Sequence, residues 1–83
     1  MKPLTRTMED ALLAFVASDD DYADPPVGVR EGTLIALETR GLIESIPNPD
    51  PRAAWWRAFQ YRRTRDGDDL ALEVSLAREE LRA

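Results

Sequence analysis

Five arginines, at positions 52, 57, 62, 63 and 65, fall in a stretch that holds no acidic side chain. Grouped guanidinium groups suit two chemistries. They make forked hydrogen bonds to phosphate, or they pair with carboxylates on another protein surface. The stretch carries +5 in a chain of net charge −5, so the rest carries −10. A negative total argues against nucleic acid as a partner. A locally basic segment on an acidic domain still offers phosphate a site. Inside the same stretch stand Trp55 and Trp56. Exposed tryptophan is enriched where proteins bind one another.

Other chemistries are thinly provided for. The chain has no histidine and no cysteine. The commonest general base, the commonest zinc ligand, disulfides and thiolate sites are therefore excluded. Carboxylates and carbonyls alone would suit calcium or magnesium. Yet Asp19, Asp20 and Asp21 lack the spacing of a calcium loop, and fit a helix end or a solvated turn. Asp66 and Asp69 sit where a helix begins, so capping accounts for them. No glycine-rich phosphate loop and no nucleophile beside a base is visible. The expectation is a protein that is not an enzyme and uses no metal or cofactor.

The elements that must carry these residues are readable in part. Eighty-three residues make a single domain, 1–83, with a modest core. No apolar run approaches the roughly 18–20 residues of a membrane span. The first residues, MKPLTRTMED, lack the apolar core of a signal peptide. A soluble, cytoplasmic protein is expected. A first helix is predicted from Thr7, its N-cap, to Ser18, with Met8, Leu12, Phe15 and Val16 on one face. Pro25 and Pro26 forbid its continuation, and residues 27–29 suit a short extended segment. A second helix is predicted from Arg30 or Glu31 to Arg40, with Leu34 and Leu37 inward and Gly41 as its left-handed exit. Residues 42–46 read as a strand, the proline-rich 47–52 as a turn, and 53–63 as the return strand. Alternation along that strand sends Trp55 and Trp56 to opposite faces, so at most one enters the core. A last helix follows Thr64. It has one apolar stripe of Leu70, Val74, Ala77 and Leu81 and a second of Leu72 and Leu76.

At this level of detail the residues become familiar. TLIALETRGLIE, residues 33–44, resembles the recognition helix and first wing strand of winged-helix regulators of the MarR and PadR kind. YRRTRDGDDLALE, residues 61–73, resembles the segment in which their second wing strand turns into the last helix. The two motifs stand in the family's order, a wing-sized hairpin apart. The resemblance implies an α+β fold: a small winged helix-turn-helix domain with a two-stranded β-wing and a C-terminal helix. Three departures stand out. Residues 18–26 are a poor helix where the trihelical core should have its second. Arg63 replaces a leucine, and Ile35 stands where arginine is frequent.

The function implied is that of a small transcriptional regulator on double-stranded DNA. Arg30, Thr33, Ala36, Thr39 and Arg40 would contact DNA from the 31–40 helix, and Arg52, Arg57, Arg62, Arg63 and Arg65 from the wing. The bland account of these residues is a structural helix and solvated arginines pairing with nearby acids. The centre of the helix face, Gly32, Ala36 and Thr39, holds none of the arginine, lysine, asparagine or glutamine that reads base edges. Leu72 and Leu76, with Trp55 and Trp56, are the expected homodimer interface. The alternative there is burial of both stripes in one monomer. A rival function of another class is a winged-helix adaptor that binds protein and not DNA. The acidic total, the bland helix face and the paired tryptophans favour it. The DNA reading depends on the arginines being gathered on one side, free of carboxylates.

Overall fold

A computed structural model describes residues 3–82. It is an α+β chain of three helices and one two-stranded antiparallel sheet. In order these are α1 (Arg6–Ala14), α2 (Glu31–Thr39), β1 (Ile43–Pro47), β2 (Phe59–Arg63) and α3 (Arg65–Arg82), with one 3-10 turn at Trp55–Arg57 before β2. No helix among the described residues is long and apolar enough to cross a membrane.

The cap of α1 lies two residues earlier than expected. Thr5, not Thr7, is the N-cap, and its hydroxyl oxygen accepts from the Met8 N–H at 3.2 Å. The helix also ends early, because Phe15 is extended at φ −77° and ψ 152°. The cause is tertiary. The Arg63 N–H takes the Val16 carbonyl at 2.9 Å, and the Arg63 guanidinium reaches the Leu12 carbonyl. Partners on β2 thus replace the next helical turn. Residues 18–26 hold no helix, in keeping with their composition. The expected extended segment at 27–29 is instead a turn at Val27–Gly28. The extended contact lies earlier, at Ala23. Ala23 exchanges two backbone hydrogen bonds with Tyr61, at 2.7 and 3.0 Å, on the edge of β2 away from β1.

α2 closes with a Schellman motif. Gly41 is left-handed at φ +72°. Its N–H bonds the Glu38 carbonyl at 2.9 Å, and the Leu42 N–H bonds the Leu37 carbonyl at 3.0 Å. Leu37 and Leu42 are both buried, giving the apolar contact that accompanies this cap. Thr64 is the cap of α3, accepting from the Gly67 N–H at 3.1 Å. The same hydroxyl donates to the Gly41 carbonyl at 2.5 Å, and the Thr64 N–H bonds the Leu42 carbonyl at 3.1 Å. The end of α2 and the start of α3 are therefore one junction. Gly67 is buried there, and a methyl group on it would collide with the Leu42 carbonyl oxygen.

The core gathers Met8, Ala11 and Leu12 of α1, Phe15 just beyond it, Leu37 of α2, Leu42, Ile43 and Ala71. Tyr61 meets Phe15 edge to face at 6.0 Å. α3 turns Leu70, Ala71 and Val74 inward, but Ala77 and Leu81 of its expected inner stripe are exposed. Leu72 and Leu76 are exposed too, so the second stripe is not buried in the monomer. At about 1.5 Å rise per residue the 18 residues of α3 outrun the 9 of α1, and its last residues, 79–82, are exposed.

Candidate functional site

β1 and β2 pair from Ile43 with Arg63 to Pro47 with Phe59. The ladder gains one more bond, Asn48 N–H to the Ala58 carbonyl at 2.8 Å. Beyond it the chain cannot pair, because Pro49 and Pro51 lack the donor. The loop closes on its own side chains instead. Asn48 Nδ2 donates to the Arg57 carbonyl at 2.8 Å, and Asn48 Oδ1 accepts from the Asp50 N–H at 2.9 Å. Asp50 Oδ1 accepts from the Arg52 N–H at 2.9 Å. The chain returns through the 3-10 turn at Trp55–Arg57. The return strand is thus shorter than the expected 53–63, and strand alternation does not govern the tryptophans. Neither enters the core: Trp55 is 87% and Trp56 58% exposed.

Facing the tryptophans is the segment between α1 and α2. Pro25, Pro26 and Val27 form one wall of an open groove of about 640 Å³, and Trp55, Trp56 and Phe59 line it from the wing side. Leu34 and Tyr61 also line it, and Glu31 is its one charged lining residue. Val27 is fully exposed. Two prolines fix one wall, and the Asn48 and Asp50 turns fix the loop that carries the other. The groove joins residues distant in sequence. Its only local signals are the PPV and WW clusters, apolar residues outside any regular element.

The arginines do not form a patch of free charge. Arg57 Nε pairs with Asp24 at 2.9 Å, with its guanidinium 5.7 Å from the Trp56 ring centre. Arg62 Nε pairs with its cross-strand neighbour Glu44 at 2.7 Å and lies 4.1 Å from the Tyr22 ring centre. The Glu44 hydrogen bond raises the Arg62 pKa further. Arg63 Nε pairs with Asp68 at 3.0 Å and is largely buried. Three of the five expected phosphate ligands are therefore held by carboxylates. Arg52 and Arg65 are exposed and have no carboxylate partner among the described residues.

The 31–40 helix offers little to a base edge. Arg30 is the exposed N-cap residue of α2. Arg40 turns back to the Ala36 carbonyl at 3.2 Å. Ala36 is partly buried against the core and Thr33 is half-buried, whereas Thr39 and Ile35 are exposed. Ala36 is thus packing rather than reading surface. No family model, curated protein or solved structure matches the chain.

Asp68 of α3 ties β2 to the segment after α1. It accepts from the Ser18 hydroxyl, from the Ser18 N–H at 3.2 Å and from Arg63. The Ser18 hydroxyl above all, with the Ser18 N–H and Arg63, holds its carboxyl below the ordinary range despite burial. At the other end of the molecule Arg78 of α3 pairs with Asp10 and Glu9 of α1, at 2.6 and 3.5 Å. The Arg78 hydrogen bond is the main cause that lowers the Asp10 pKa. These carboxylates are structural partners rather than acid–base groups in a cleft.

Proposed function

We propose that this chain is a protein-binding adaptor of winged-helix type, and that its binding face is the groove between Pro25–Val27 and the wing. Several observations support the winged-helix element of this reading. The order of elements matches except for the second helix of the trihelical core, which is absent at 18–26; the two motifs meet in one hydrogen-bonded junction, and Ala23 supplies a one-residue third strand beside β2. The single observation that carries the protein-binding element is the open apolar groove with two exposed tryptophans at its rim. Monomeric proteins rarely leave such surface uncovered without use. The occupant it suits is an extended segment with one bulky apolar side chain, and a lysine or arginine to meet Glu31.

The DNA reading keeps one support: Arg30, Arg52 and Arg65 lack carboxylate partners among the described residues. Against it stand three committed arginines and Glu31 and Glu38, both exposed on the helix that would enter the groove of DNA.

Two measurements on the full chain decide between them. Selection of displayed random peptides should yield binders that lose affinity at least about tenfold on Trp55→Ser or Trp56→Ser. Random duplex DNA should show no binding at low salt. Tight duplex binding that weakens steeply with salt, with no peptide selected, refutes the proposal.

A further inference from the structure

α3 presents a second surface on the side opposite the core. Gly67, Leu70, Ala71 and Val74 point inward, so the opposite arc holds Leu72 and Leu76, one turn apart and 60% and 50% exposed. Around them on the same arc lie Asp69, Glu73, Glu79 and Glu80, all exposed. The one cation on this arc is Arg65, at the start of the helix. Arg78, the only other cation before Arg82, is turned away to Glu9 and Asp10 on α1. The face is thus a pair of leucines in a carboxylate frame, turned away from the core.

Its charge selects among the occupants. A second copy paired parallel on this face sets each carboxylate against its own equivalent. Paired antiparallel about the two leucines, it sets Asp69 near Glu79 and Glu80 of the other copy. Like charges so placed repel. Two leucines are too little apolar surface to offset that repulsion, so the choice between occupants falls to charge. An anionic membrane surface is repelled in the same way. A helix with apolar residues at the i and i+4 positions and lysines or arginines beside them fits on both counts: it covers the leucines and pairs the carboxylates.

We infer that the exposed face of α3 docks a basic amphipathic helix of a partner protein. The expected homodimer through Leu72 and Leu76 is replaced by a heterotypic contact. The inference does not depend on the groove.

The test uses a fluorescent synthetic peptide as long as α3, with leucines at i and i+4 flanked by lysines. A second peptide carries glutamates in place of the lysines. Fluorescence anisotropy with the full chain should show binding of the lysine peptide only. Leu72→Ser with Leu76→Ser should weaken it about tenfold or more. Glu73→Lys with Glu80→Lys should weaken it similarly and admit the glutamate peptide. Trp55→Ser should leave it unchanged, which separates this face from the groove. All four α3 positions are exposed, and an unchanged melting temperature confirms folding. Equal binding of the lysine peptide to the double serine variant shows mere charge attraction and overturns the inference. So does sedimentation of the wild-type chain as a dimer that the serine substitutions dissociate.

Discussion

At the residue scale the glycines give the sharpest contrast. Gly67 and Gly32 both lie in helices, where alanine is favoured over glycine by about 1 kcal/mol. At Gly32 an added methyl group meets nothing within 4 Å, so only that preference acts. Gly32→Ala should raise stability by about 0.5–1 kcal/mol, read as a higher urea midpoint. At Gly67 the methyl group meets backbone, the Leu42 carbonyl, which cannot swing away. Overpacking of about 1–3 kcal/mol opposes the helical gain, and the break in the Thr64–Leu42 hydrogen bond adds to it. Gly67→Ala should therefore lower the midpoint. Equal shifts for the two variants would contradict the junction. The need for glycine at 67 is legible in the sequence only through the resemblance. Nothing local in TRDG tells that a neighbouring carbonyl lies above it.

At the element scale the wing is the informative case. α2, Gly41, β1 and the start of α3 are legible because their signals are local: periodicity, a left-handed exit and a hydroxyl cap. The end of α1 is not, because Arg63 and Val16 are far apart in sequence. The return strand is shortened for a similar reason. The stretch AAWWRA at 53–58 reads as part of a strand, but Asn48 takes the Arg57 carbonyl and the loop folds into a 3-10 turn. The groove escapes notice because its walls come from two such irregular segments. The Glu44–Arg62 pair follows from strand register, whereas Asp24–Arg57 and Asp68–Arg63 need the tertiary structure. If Asn48 holds the tryptophans in place, Asn48→Ala should cost about 1 kcal/mol, its net hydrogen-bond contribution. Hydrogen exchange should then quicken at Arg57 and Ala58, whose N–H groups close the 3-10 turn. Unchanged exchange there would mean that the turn stands without Asn48.

At the scale of the whole molecule, charge is distributed as pairs. The net −5 is legible from the composition, but the pairing that cancels most of the wing is not. Asp68 and Asp10 are both held below the ordinary aspartate value of 3.8. A carboxyl that binds its proton more weakly when folded stabilises the fold above its unfolded pKa. That contribution is lost as pH falls through the lower, folded value. Stability should be level from neutral pH to about 5 and fall steeply below about 4. At the acid extreme the chain carries eleven positive side chains and no negative ones, and their mutual repulsion adds to the loss. Asp68→Asn should be less stable at neutral pH and should flatten the acid limb. Urea midpoints between pH 3 and 7 measure both. A wild-type curve as flat as the variant's would mean that Asp68 is not held by Ser18 and Arg63.

The junction of Gly41, Leu42, Thr64 and Gly67 has a consequence for how this chain tolerates change. It clasps the hairpin at its base, while residues 48–58 are closed mainly by their own bonds. Whatever is spliced between the two strands inherits a scaffold already fastened beneath it. The sequence of the tip is thus not what holds the two strands together; the clasp below it does.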